Sequence, residues 1–66
     1  MTLNDERFLS LDEVMTKTGL KRSTIYNQMR LGIFPKNIEI SSNRIAWLES
    51  EVINWMTTKI NQRNNN

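Results

Sequence analysis

The chain has 66 residues, nine Lys plus Arg against seven Asp plus Glu for a net charge of +2, and neither Cys nor His. Without thiols or imidazoles there is no disulfide framework, no thiol nucleophile, no zinc finger and no Ser-His triad. A chain this short buries only ~60% of the surface its unfolded form exposes, enough for one small core but not for an enclosed substrate pocket, and no apolar run nears the ~20 residues of a membrane span.

Residues 1–6 are expected to be disordered. Ser10 followed by Glu13 is a capping box, so a helix should begin at Leu11. Leu11, Val14, Met15 and Thr18 share one arc of that helix and face the core, and Gly19 supplies the left-handed residue that ends it, with Leu20 packing back across the turn. The next periodic stretch runs from Arg22 to about Leu31 and is closed by Gly32. Ile25 and Met29 lie one turn apart and face inward, whereas Ser23, Asn27 and Arg30 share the opposite side with Thr24 beside them. That outer face is polar and basic and carries no acid. Two short helices joined by a three-residue turn, the second displaying short hydrogen-bonding side chains and Arg, form a helix-turn-helix.

Phe34-Pro35 stops any helical continuation. Ile38-Glu39-Ile40 alternates as a half-buried strand, Ser41-Ser42-Asn43 is turn chemistry, and Arg44-Ile45-Ala46-Trp47 returns, giving a small hairpin over residues 38–47. A last helix, about Glu49 to Ile60, places Val52, Ile53, Met56 and Ile60 on one arc with Trp55 at its edge. The expected core is Ile25, Met29, Ile33, Phe34, Trp47, Val52, Trp55, Met56 and Ile60. Residues 61–66, rich in Asn, are expected to be a disordered polar tail, which leaves one domain over residues 7–60. Charge is segregated along this order: residues 1–16 carry a net −3, residues 17–44 a net +5 with Glu39 as their single acid, and the remainder sums to zero.

Four separated blocks carry a resemblance. Gly19-Leu20-Lys21-Arg22-Ser23-Thr24-Ile25-Tyr26, Gly32-Ile33-Phe34-Pro35-Lys36, Arg44-Ile45-Ala46-Trp47 and Glu49-Ser50-Glu51-Val52-Ile53-Asn54-Trp55 resemble, in order and spacing, the AlpA family of prophage regulators. The resemblance implies a mainly α fold with a small β-hairpin, a winged helix-turn-helix of the kind found in excisionases and MerR-type regulators. It also implies binding to double-stranded DNA near phage or genomic-island genes, where members activate or repress transcription and in several cases assist an integrase in excision. The chain has Lys21 where the family often has Ser, a natural N-cap, which predicts a differently capped or later start for the second helix. Its hairpin tip is Ser41-Ser42-Asn43 where glycine is common.

Phosphate contacts and base contacts are separate tasks. Lys21, Arg22, Lys36 and Arg44 flank the second helix and the wing and are the candidates for phosphates. Ser23, Thr24, Asn27 and Arg30 are the candidates for base edges, since Asn pairs bidentately with adenine and Arg with guanine; Ser23 and Thr24 also fit simple capping. Tyr26 lies between the two faces and is assigned a supporting role, its ring packed and its hydroxyl near a phosphate. Ser42, Asn43 and Arg44 on the wing fit the minor groove or neighbouring backbone, and equally an ordinary solvated turn.

No cofactor, metal, membrane or small-molecule substrate is expected, and the acids at the starts of the first and last helices read as dipole partners rather than an enzyme's carboxylates. The expected protein is a cytoplasmic, nucleoid-associated bacterial regulator. Its further partners would be an integrase or other copies of itself on DNA, because one domain of this size has a small footprint. Two alternatives stay open: an excisionase-like recombination directionality factor, and a regulator that inhibits a protein partner without touching DNA.

Overall fold

The computed structural model describes residues 6–64. Strand β1 (Phe8–Leu9) leads into helix α1 (Leu11–Thr18) and helix α2 (Arg22–Arg30); strands β2 (Ile38–Ser41) and β3 (Arg44–Leu48) follow, and helix α3 (Glu49–Asn64) closes the chain. The three strands form an antiparallel sheet in the order β1-β3-β2, so β3 is the central strand. This is the expected mainly α winged helix-turn-helix, with one strand more than the sequence predicted. Among the described residues no helix is long and apolar enough to cross a membrane.

The helix ends follow from local chemistry. At the start of α1 the Ser10 hydroxyl accepts from the Glu13 amide at 3.2 Å while the Glu13 carboxylate accepts from the Ser10 amide at 2.8 Å, which satisfies two otherwise orphaned donors. Gly19, at φ +76°, donates to the Met15 carbonyl and stops the helix. The Thr18 hydroxyl donates to the Val14 carbonyl and accepts from the Leu20 amide, fixing the turn into α2. At the end of α2, Gly32 (φ +79°) donates to the Met29 carbonyl and Ile33 to that of Gln28, the paired bonds of a Schellman motif. A Cβ at either glycine would strain the left-handed backbone.

Among the described residues seven side chains are buried: Leu9, Val14, Ile25, Phe34, Ala46, Trp47 and Val52. At least one comes from every element but β2, so the core exists only once the chain has closed on itself. Met29, Trp55 and Met56 pack against it half-buried. Ile33 and Ile60 depart from the expected core, being 51% and 49% exposed, as does Ile53 on the expected apolar arc. For Ile33, the Schellman turn leaves the side chain outside while the Ile33 carbonyl accepts from the Trp55 indole at 2.9 Å. The last helix runs on to Asn64, so residues 61–64 are helical where a disordered tail over residues 61–66 was expected, and residues 65–66 lie outside the described residues.

The wing differs in detail from the sequence reading. Ser41 ends β2, so the tip narrows to Ser42-Asn43, and among the described residues no non-glycine has positive φ, which rules out a primed turn. An unprimed two-residue turn splays its strands. The register shifts between Glu39, opposite Ile45, and Ser41, opposite Arg44, leaving Ile40 as the extra residue of a bulge that takes up the mismatch.

The N-terminal segment is held in place from residue 6 on; residues 1–5 of the expected disordered stretch lie outside the described residues. The Arg7 carbonyl accepts from the Glu49 amide at 3.0 Å. The Glu6 carboxylate accepts from the Ser50 hydroxyl at 2.8 Å and the Ser50 amide at 3.2 Å, so a residue 44 positions away caps α3. The Ser50 hydroxyl, then its amide, hold Glu6 below the usual carboxylate range. A depressed carboxylate stabilises the fold above its unfolded pKa, about 4.3, and loses that contribution as pH falls through its folded value. Glu6→Gln is therefore expected to lower the thermal midpoint at pH 7, with the gap to the wild type narrowing as the pH is taken into the acid range, as checked by melts at a series of pH values.

Candidate nucleic-acid interface

Helix α1 is fully capped; α2 is not. Lys21 occupies the N-cap with no side-chain hydrogen bond, and the first turn of α2 carries no acid. The first intrahelical bond runs from the Ile25 amide to the Lys21 carbonyl at 3.0 Å, so the amides of residues 22–24 have no partner within the helix. Lys21 and Arg22 at this positive end of the helix dipole oppose helix stability. An anion placed there would relieve both defects at once, by accepting from the free amides and by neutralising the two cations.

The outer face of α2 is accessible. Arg22, Ser23, Asn27 and Arg30 are exposed, Thr24 is half-buried, and Ile25 beneath them is fully buried. The expected division of α2 into an inward apolar side and an outward polar, basic side is therefore present in the structure. The Arg30 guanidinium donates to Asn27 Oδ1 along this face. Among the described residues the ion pairs are Arg7–Glu13 and Lys17–Glu49, and neither involves Lys21, Arg22, Arg30, Lys36 or Arg44.

The wing is tied to α2 through one indole. Trp47, on central strand β3, donates from Nε1 to the Pro35 carbonyl at 3.0 Å, and its ring meets that of Tyr26 edge-on with centroids 6.5 Å apart. Tyr26 is thus packed at the junction while 38% of it stays exposed. Lys36 follows Pro35 directly and is exposed, so its backbone is fixed one residue from the indole anchor. Ser42 and Asn43 form the exposed tip and Arg44 opens β3, also exposed. A second edge-on pair, Phe34 against Trp55 at 4.9 Å, secures the end of the α2–β2 connection on α3.

The Tyr26–Trp47–Pro35 anchor was missed by the sequence reading, although a buried Trp N–H always requires an acceptor and so gave a usable signal. No group of three or more His, Cys, Asp or Glu side chains able to hold a metal occurs among the described residues. The arrangement offers hydrogen-bond donors and cations on a helix and an adjoining wing. Such an arrangement suits a polyanion.

Residues 7–60 match the family described as "Prophage CP4-57 regulatory protein (AlpA)". The chain belongs to the AlpA family. The match runs from Arg7, just before β1, to Ile60 of α3 and so takes in the helix-turn-helix and the wing together. A protein of Enterobacteria phage P4, described as "Uncharacterized protein ORF88", is 47% identical over 58 residues, which cover 88% of this chain and 66% of the phage protein. The "DNA-binding transcriptional activator AlpA" of Escherichia coli K12 is 30% identical over 59 residues, covering 80% of this chain and 84% of that relative. This chain therefore spans just under two thirds of the phage relative's length.

Proposed function

We propose that this AlpA-family chain is a sequence-specific DNA-binding transcriptional regulator of prophage or genomic-island genes, such as an integrase gene. The observation that carries the reading is the open, acid-free start of α2 with its exposed polar face beside an anchored basic wing. The name of the E. coli relative, a DNA-binding transcriptional activator, supports it. In this reading α2 enters the major groove, where Ser23, Thr24, Asn27 and Arg30 meet base edges. Lys21, Arg22, Lys36 and Arg44 meet phosphates, Tyr26 braces α2 against the wing, and Ser42 and Asn43 reach the flanking DNA. The place of action is the cytoplasm, at the nucleoid. Activation, repression and assistance to an integrase in excision all use this docking. The small footprint makes several copies on adjacent sites the expected mode.

A gel-shift titration with the duplex upstream of the neighbouring integrase gene tests the proposal. Retention at low salt that weakens as salt rises is expected, and Asn27→Ala should flatten the preference at one base pair while leaving nonspecific retention in place. Absence of any retention at low salt would overturn the proposal in favour of a protein partner.

A further inference from the structure

The outer face of α2 holds a hydrogen bond whose consequence reaches beyond general DNA binding. Asn27 and Arg30 are three residues apart, hence neighbours on the helix surface, and the Arg30 guanidinium donates to Asn27 Oδ1. This bond settles which way the asparagine amide points. The reversed amide would aim its own N–H groups at a cation, so the oxygen faces Arg30 and the two Nδ2 hydrogens face away from it. Charge-assisted bonds of this kind are stronger than neutral ones, so Oδ1 keeps Arg30 as a partner and its second lone pair lies beside the cation. Nothing in α2 offsets the charge, since the helix contains no acid.

We infer that Asn27 and Arg30 work as one cationic, donor-rich unit that selects guanine over adenine at the base pair beneath the middle of α2; the inference rests on the DNA-binding reading above. In the major groove adenine presents one acceptor, N7, and one donor, the N6 amino group, so a bidentate asparagine must offer it a free oxygen. Guanine presents two acceptors, N7 and O6. With one lone pair of Oδ1 engaged by Arg30, the pair presents Nδ2 and the remaining guanidinium N–H groups as donors, which match guanine, whereas an adenine amino group could reach the second lone pair only by bringing its own N–H against the cation. Arg30 is thus both a reader and the positioning residue that decides what Asn27 reads.

The test is selection of bound sequences from a randomised duplex pool at low salt, with the wild-type chain, Asn27→Ala and Arg30→Met. The position whose preference Asn27→Ala flattens is the one beneath Asn27. The wild type is expected to prefer guanine there by roughly tenfold or more, the range of one good bidentate contact. Arg30→Met frees Oδ1 and is expected to move the preference at that position to adenine, a change that simple loss of a phosphate contact would not produce. Adenine enriched by the wild type, or an unchanged preference with Arg30→Met, overturns the inference and leaves the DNA-binding reading intact. Failure of the wild type to retain any duplex overturns both.

Discussion

Trp47→Ala is expected to leave most of the protein unfolded at 25 °C. Trp47 is fully buried on the central strand, its N–H is bonded to the Pro35 carbonyl at 3.0 Å, and its ring edge contacts Tyr26. Replacing a core Trp by Ala costs about 3–5 kcal/mol in lost burial and residual cavity. A single core below ~70–80 residues rarely supplies more than about 3–5 kcal/mol in all, so the loss takes up the whole margin. Trp47→Phe keeps most of the ring and removes only the N–H, so it should remain folded with a lower midpoint. Far-UV circular dichroism melts of the two variants check this; a cooperative melt of Trp47→Ala within a few degrees of the wild type would show that the indole is not the keystone of the fold.

The second large effect concerns salt. If Lys21, Arg22, Lys36 and Arg44 each neutralise one phosphate, log K should fall with log salt at a slope of about −3.6, and affinity should drop on the order of 100-fold between 50 and 200 mM salt. Lys36→Ala should lower the magnitude of that slope by about 0.9 and weaken all sequences alike, because a phosphate contact carries no sequence information. Asn27→Ala should instead leave the slope unchanged. Fluorescence anisotropy at four or five salt concentrations measures both. A slope for Lys36→Ala equal to the wild type would remove Lys36 from the interface.

These two effects converge on one piece of geometry. The Trp47 indole that holds the core together also fixes the backbone beside Lys36 and the ring of Tyr26. Variants of Trp47 that stay folded should therefore lose some affinity, through a looser wing.

What was legible in the sequence is what neighbouring residues decide among themselves. The Ser10/Glu13 capping box, the glycine stops at 19 and 32, the bounds of α1 and α2 and the inward placement of Ile25 all depend on partners within a few positions, and all stand as read. The exposure of Arg22, Ser23, Asn27, Arg30, Lys36 and Arg44 was readable for the same reason, from helical spacing and hairpin position. Lys21 in place of a capping residue pointed to a differently capped or later start, whereas α2 begins at Arg22 with Lys21 at the N-cap and no side-chain cap at all.

Tertiary structure alone decided the rest. Strand β1 is two residues long, too short to show any period, and exists because β3 offers Phe8 and Leu9 a ladder. The cap of α3 is Glu6, and a bond spanning 44 positions leaves no local pattern. Ile33 lies outside the core while its carbonyl accepts from the Trp55 indole, a bond spanning 22 positions that no neighbouring residue reveals. The sequence by itself determined where the helices start and stop and which polar face α2 presents. Only the closed fold decided how that face is held against the wing, because hydrogen bonds and ring contacts between distant elements form after the chain has brought them together.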